Sequence, residues 1–432
     1  MKKTGKSGLL YAYYGDDFTG STDVLEALGL HGIPSVLFIG LPDERSLKIF
    51  AGCRAVGIAG ESRSRAPKWM DRNLPPVFAG MRGLGAPINH YKVCSTFDSS
   101  PQIGSIGRAI ELGMKAFDVK FVPVVVGAPR LRRSVVYGNL FAASQGEVYR
   151  IDRHPSMQQH PTTPMTEADL RLHLAEQTKL ATGLVDLSSF QQGQAGERLH
   201  AVLKSGAKAI LFDGIDDAMI EETARLVYKR ALGRQAFAVG SSGFTSGLLL
   251  HWRRMGWIPN APAPQPPAAT DRLIVLSGSC SPTTARQIRR SRQQGFDAYR
   301  LQGPKPWGAQ TRKALEALSR GESVVLYTAL GPETYSSNGE YGEDFGAALG
   351  ERVRELLIVS GVRRIVVAGG DTATRVVKQL GLSALTFAAP LAPGAPLCRA
   401  HAPGAPLDGL ELVLKGGQVG SDEFFAQARD GR

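Results

Sequence analysis

Five stretches of this chain are apolar almost without a break: FVPVVVGA (121–128), AKAILFDG (207–214), RLIVLSG (272–278), SVVLYTA (323–329) and RRIVVAGG (363–370). A strand with one wet face alternates polar and apolar residues. A strand that does not alternate is covered on both sides, and helices crossing over a parallel sheet provide that cover. Helical patterns lie between the runs, at STDVLEALGLHG (21–32), DDAMIEETARLVYKRA (216–231) and RVVKQLG (375–381). Further strands are predicted at LLYAYYG (9–15), PSVLFIG (34–40) and AVGIAG (55–60). The pattern predicts an α/β fold: two α/β domains with mainly parallel sheets and a cleft between them. In such sheets ligands bind beyond the carboxyl ends of the strands, so those ends are where a site is sought.

The division falls at PNAPAPQPPAAT (259–270), where five prolines in twelve positions exclude a helix or a central strand and favour a stiff, extended linker. Residues 1–258 are expected to form an N-terminal domain and 271–432 a C-terminal one. No internal repeat is found. An apolar fraction of 43% supplies two cores, and 21% charged residues exclude wholesale disorder. Cys53, Cys94, Cys280 and Cys398 form no CxxC pair, which argues against a zinc site or a disulfide framework. The basic start meets Asp16 and Asp17 too soon for a signal peptide, and no apolar run is long enough to span a membrane. A cytoplasmic protein is expected. The net charge of +12 reads first as a bland basic surface and next as a preference for anionic small molecules. Lacking a Lys/Arg block interleaved with aromatics, the chain is expected to bind neither nucleic acid nor membrane.

Several familiar motifs are absent. Thr4-Gly5-Lys6-Ser7 resembles the tail of a P-loop but lacks its upstream strand and glycine. No GxGxxG is suitably placed, and Gly240-Ser-Ser-Gly243 is not a GxSxG nucleophile elbow. The histidines show no metal-ligand spacing, and His160 and His401 read as solvated loop residues.

The chemistry gathers at strand ends. After the first strand comes Gly15-Asp16-Asp17-Phe18-Thr19-Gly20-Ser21, opening a helix that Thr19 or Ser21 could cap. Two adjacent carboxylates are more than capping needs, which makes Asp17, then Asp16, candidates for hydroxyl binding or general-base work. Arg63, Ser64 and Arg65 follow the strand at 55–60, where guanidinium forks suit a carboxylate. Lys92, Ser95 and Thr96 add a cation and hydroxyls, and Arg130, Arg132 and Arg133 add positive charge. In the second half, Ser277-Gly-Ser279-Cys-Ser281-Pro282 places an N-cap serine and a first-turn proline directly after a strand. Gly369-Gly370-Asp371-Thr372 repeats the arrangement, and Lys415-Gly416-Gly417 lies near the C-terminus. Three such turns in one small α/β domain favour nucleotide binding, with Asp371 able to hold Mg²⁺ or a ribose hydroxyl.

These residues, together with His160-Pro-Thr-Thr-Pro-Met-Thr-Glu-Ala-Asp-Leu170, resemble the four-carbon acid sugar kinase family in order and spacing over nearly the whole chain. The resemblance implies an N-terminal domain that binds a sugar acid such as threonate, erythronate, an oxo-tetronate or a branched 3-oxo-isoapionate. It implies a C-terminal domain that binds ATP, with Mg²⁺ as cofactor. Asp17 or Asp16 would then accept the hydroxyl proton. Thr19, Arg63, Ser64, Arg65, Lys92, Ser95 and Thr96 would hold the acid. Ser279, Ser281, Gly369, Gly370, Asp371, Thr372, Lys415, Gly416 and Gly417 would hold the nucleotide. A homodimer is compatible with this reading. Where the family usually reads Lys-x-Asp-Ser-Thr-x-Arg-Gly, this chain has Cys94 in place of the aspartate and Asp98 in place of the arginine, which changes the charge facing the acid. Two rivals are a non-catalytic sugar-acid sensor, which needs no ATP, and a basic nucleic-acid-binding protein, whose binding would fall steeply with salt.

Overall fold

The computed structural model of the protein describes residues 8–144, 146–160, 162–258, 263, 265–301, 308–331 and 343–432, and the side chains of all of these but 343–344. The segment Thr4–Ser7, Pro161, and residues 259–262 and 264 of the proline-rich stretch lie outside the described residues.

The chain forms two compact units, and the boundary is not a single point. One unit holds Met1–Asp16, His31–Ser35 and Leu41–Ala261; the other holds Asp17–Leu30, Val36–Gly40 and Pro262–Arg432. In this division the first helix and most of the second strand fall with the C-terminal half.

In the N-terminal unit seven parallel strands run in the order Ala55–Ala59, Tyr11–Gly15, Ile88–Lys92, Ala236–Gly240, Val122–Val125, Ala209–Phe212 and Thr182–Val185. The five inner strands are buried along their length except at Ala236, as unbroken apolar runs require. Register keeps the carboxyl ends level, with Gly15 beside Ala59 and Lys92, and Lys92 beside Gly240. A second, three-stranded antiparallel sheet, Arg133–Val136, Asn139–Ser144 and Glu147–Arg150, was not legible in the apolar pattern. Its first turn is made by Tyr137 and Gly138, both at positive φ (48° and 84°), the geometry that matches the twist of a tight hairpin.

In the C-terminal unit the strands run in the order Phe296–Arg300, Ser323–Tyr327, Ile274–Ser277, Arg364–Ala368, Glu411–Lys415, Ala395–His401, Ala384–Ala392 and Ser35–Phe38. The first five strands are parallel. The last three run antiparallel to their neighbours. Pro390 falls in the stretch Ala389–Ala392, where the register shifts, and such an irregularity tolerates the missing N–H. The helix Phe18–Leu30 packs on this antiparallel part: a Cβ on Gly29 would sit 2.3 Å from the Phe387 ring, and Glu26 accepts the Gly394 amide at 2.7 Å. Among the described residues no helix is long and apolar enough to cross a membrane.

Candidate functional site

At the carboxyl edge of the N-terminal sheet, Asp16 is fixed by its backbone. Its N–H donates to the Lys92 carbonyl at 2.9 Å, and its carbonyl accepts the Arg63 N–H at 3.1 Å. Those two bonds tie the ends of three strands together and bring Asp16, Arg63 and Lys92 to one place. Asp16 and Lys92 are both buried. Tyr91 and Tyr14 stack beneath them, at 5.6 Å between ring centroids, and the Tyr91 hydroxyl bonds the Ser62 hydroxyl at 2.7 Å. Burial pushes both phenols upward, Tyr14 to about 12, so they stay neutral hydrogen-bonding groups.

The two arginines expected to clamp a carboxylate each already hold one. Arg63 donates from Nε (3.1 Å) and Nη2 (2.6 Å) to Oδ2 of Asp98, whose side chain is wholly buried. Thr96 donates its hydroxyl to the other Asp98 oxygen. Burial alone would push the Asp98 carboxyl up; the charges of Arg63 and His160 and the bonds from Thr96 and Arg63 outweigh it and hold the group below its ordinary range. His160, read as solvated, thus contributes to this cluster. Arg65 donates to Glu61 at 2.8 Å and lies over the Trp69 ring at 5.6 Å. Ser64 bonds back to the Glu61 carbonyl, and Thr96 Oγ1 lies 2.9 Å from Cys94 Sγ. Asp98 was noted in the sequence as a change of charge; that it pairs with Arg63 had no local signal.

Asp213, also at this edge, was missed by sequence reasoning. Its carboxylate accepts the amides of Tyr137 (2.6 Å), Gly138 (2.9 Å) and Leu187 (2.8 Å), which makes it a brace for the antiparallel hairpin. Gly240-Ser-Ser-Gly243 is a helix start: Ser241 caps Gly243, and a Cβ on Gly243 would collide with the Gly127 carbonyl at 1.8 Å.

In the C-terminal unit the serine turn and two glycine-rich turns converge. Ser281 accepts the Thr283 amide as N-cap of the helix Pro282–Arg292, with Pro282 in its first turn. A Cβ on Gly278 would lie 2.1 Å from Thr372 Oγ1, and one on Gly417 would lie 2.6 Å from Ser279 Oγ. Gly369, at φ +112°, precedes the helix Gly370–Gln379, which no side chain caps. Lys415 lies opposite Ala368 in register and is fully buried. Its Nζ donates to Thr284 Oγ1 at 3.0 Å, and Thr284 donates onward to the Gly417 carbonyl at 2.8 Å. Burial lowers the Lys415 ammonium to about 7. Thr284 thus links the buried lysine to the glycine turn. Asp371 is exposed in the first turn of its helix. Among the described residues no three His, Cys, Asp or Glu side chains cluster as a metal site.

Asp17 and Thr19 also belong to this unit. Asp17 is the helix cap: its Oδ1 accepts the Gly20 amide at 2.6 Å, while Thr19 and Ser21, expected as caps, lie inside the helix. The hydroxyl of Ser21 bonds back to the Asp17 carbonyl. The second Asp17 oxygen and the Thr19 hydroxyl lie 3.2 and 3.5 Å from where a Cβ on Gly370 would be.

Two family models match the chain, a sugar-binding N-terminal domain over residues 11–248 and a nucleotide-binding C-terminal domain over residues 274–425. A 3-oxo-isoapionate kinase of Paraburkholderia graminis is 44% identical over 99% of this chain and 95% of its own length. A 3-oxo-tetronate kinase of Cupriavidus necator is 31% identical, over 96% and 95%. Solved structures from Salmonella typhimurium (TM-score 0.76, 24% identity, 97% of this chain and 98% of that one) and Haemophilus influenzae (TM-score 0.68, 22%, 97% and 99%) share the fold. With both halves matched and full-length relatives at 44% and 31% identity, the chain belongs to the four-carbon acid sugar kinase family.

Proposed function

We propose that this sugar-acid kinase uses ATP to phosphorylate a hydroxyl of a small keto sugar acid, with the branched acid 3-oxo-isoapionate preferred over the linear 3-oxo-tetronates. The observation that carries the preference is the 44% identity, over nearly the full length of both chains, to a 3-oxo-isoapionate kinase, against 31% to a 3-oxo-tetronate kinase.

The residues present fit a nucleotide. Gly278, Gly369 and Gly417 stand where any side chain would meet Thr372 or Ser279, so backbone amides can approach a phosphate chain closely. We assign phosphate contacts to Ser279, Ser281, Gly369, Gly370, Thr372, Gly416 and Gly417, with Lys415 as the nearby cation. Bound ATP supplies the transferable phosphoryl group, and Mg²⁺ offsets its charge, with Asp371 as the carboxylate we assign to the metal. Lys92, Arg63, Ser64 and Arg65 bind the acid, and Ser95 and Thr96 meet its hydroxyls. About a quarter of each arginine side chain is exposed, which leaves a surface for a ligand beyond Asp98 and Glu61. Phosphoryl transfer asks mainly for positioning and a proton acceptor. Asp17 is that acceptor in this reading, and Asp16 orients the acid. Such an enzyme would work where ATP is plentiful, in the cytoplasm.

The test is ATP consumption by the purified full chain over 3-oxo-isoapionate, 3-oxo-tetronate, threonate and erythronate. The highest kcat/KM is expected for 3-oxo-isoapionate. A higher value for a linear acid overturns the substrate preference, and turnover of none overturns the kinase reading in favour of a sugar-acid sensor.

A further inference from the structure

We infer that Thr19 is a ligand of the nucleotide's phosphoryl groups, so that the Asp-Phe-Thr-Gly turn works for the nucleotide-binding unit and not for acid binding. This rests on the kinase reading above.

Three observations meet at one point. Thr19 is nine-tenths buried, yet among the described residues its hydroxyl has no hydrogen-bond partner, and burying an unpaired hydroxyl is costly unless a ligand completes it. That hydroxyl is aimed at Gly370, the first residue of a ten-residue helix that no side chain caps. Uncapped first-turn amides and the positive end of the helix dipole attract an anion. Gly370 keeps the space open, since a Cβ there would lie 3.2 Å from Asp17 Oδ2 and 3.5 Å from Thr19 Oγ1. On the other side of the same helix start, Gly369 faces Ser279 and Thr372, the residues of the serine turn and its glycine partner. An anion on the Gly370 amides is therefore flanked by the nucleotide turns and by Thr19, which donates its O–H to it. A phosphoryl oxygen fits; an amine or a neutral hydroxyl would leave the helix start unmatched.

The experiment uses full-length Thr19→Val, which keeps the shape and removes the hydroxyl, and Thr19→Ser, which restores it. Thermal unfolding without ligand should be unchanged or raised in Thr19→Val, because the hydroxyl makes no bond to lose. Calorimetric titration with Mg²⁺ and the non-hydrolysable analogue AMP-PNP should show affinity weaker by about 10–100-fold, the worth of one hydrogen bond to a charged group. Thr19→Ser should recover most of it. Weakening of AMP-PNP alone places the contact on the terminal phosphate, and weakening of ADP as well places it on the inner one. Unchanged affinity for both in the Val variant overturns the assignment, as does loss of sugar-acid affinity alone. If the wild-type chain binds neither nucleotide, the kinase reading falls and this assignment with it.

Discussion

In the proposed mechanism Asp17 has two duties on two oxygens, and substitution separates them. Oδ1 accepts the Gly20 amide at 2.6 Å and caps the helix Phe18–Leu30, while Oδ2 faces Gly370. Asn caps a helix about as well as Asp, so Asp17→Asn keeps the cap and forfeits a charge–dipole attraction of about 0.3–1 kcal/mol. Against a total stability of roughly 5–15 kcal/mol that loss leaves the protein almost wholly folded. The amide cannot take a proton, so the same change should lower kcat by about 10²–10⁴-fold, or roughly 3–5 kcal/mol of barrier. Asp17→Ala should cost about 0.5–2 kcal/mol of stability as well, since the cap is lost too. The assay pairs steady-state kinetics at saturating acid and ATP with thermal unfolding of each variant. A kcat for Asp17→Asn within a few-fold of wild type would refute Asp17 as the base and turn attention to Asp16. A collapse of Asp17→Asn stability comparable to that of Asp17→Ala would refute the division of labour between the oxygens.

Arg63→Ala should destabilise by about 3–5 kcal/mol, because the wholly buried Asp98 carboxylate loses its ion-pair partner. Asp98→Asn should cost less, since the partly exposed Arg63 can turn to water; equal losses by denaturant titration would contradict the pairing. The Asp98 carboxyl is held below its unfolded value, so this stabilisation is present above about pH 4 and fades as pH falls toward the folded value. Lys415 behaves oppositely: with its folded pKa lowered to about 7, the unfolded chain binds more protons from about pH 7 to 10.5, and stability contributed by this site rises across that window. Lys415→Met should remove that rise, by up to about 1.4 kcal/mol per pH unit, and parallel stability–pH curves for the two proteins would contradict a buried lysine that titrates near neutrality. Gly278→Ala drives a Cβ to within 2.1 Å of Thr372 Oγ1 and should weaken nucleotide binding at least about tenfold; retained affinity in a folded variant would move the nucleotide elsewhere.

What could be read in the sequence was whatever is signalled locally. The parallel strands announced themselves because both faces are covered, and the serine turn because N-cap and proline preferences act within a few residues. The allegiance of the helix Phe18–Leu30 was hidden, because its partners Phe387 and Gly394 lie in a segment with no local link to it. That segment was itself obscured: Pro390, Pro393 and Pro396 give it the composition of a linker, while irregular register lets it pair as a hairpin. For Arg63 and Arg65 the residue type was informative and the partner was not. A guanidinium beside a strand end suits an external carboxylate as well as an internal one, and Asp98 and Glu61 decide between them only in three dimensions.

The seat of that first helix has a consequence for synthesis. Glu26 and Gly394 are separated by 368 residues, and at roughly 5–20 residues per second the ribosome needs roughly 20–70 s to deliver the second after the first. Thirteen residues make a marginal helix alone, and Val24, Leu25 and Leu28, fully buried in the finished fold, stay uncovered for that interval. The nascent chain thus carries a sticky N-terminal segment for most of its translation, which makes it a natural client for chaperones that hold emerging chains. Any premature stop before the Ala384–His401 hairpin leaves the segment permanently without its seat, so truncated products should be cleared and not accumulate as folded N-terminal halves.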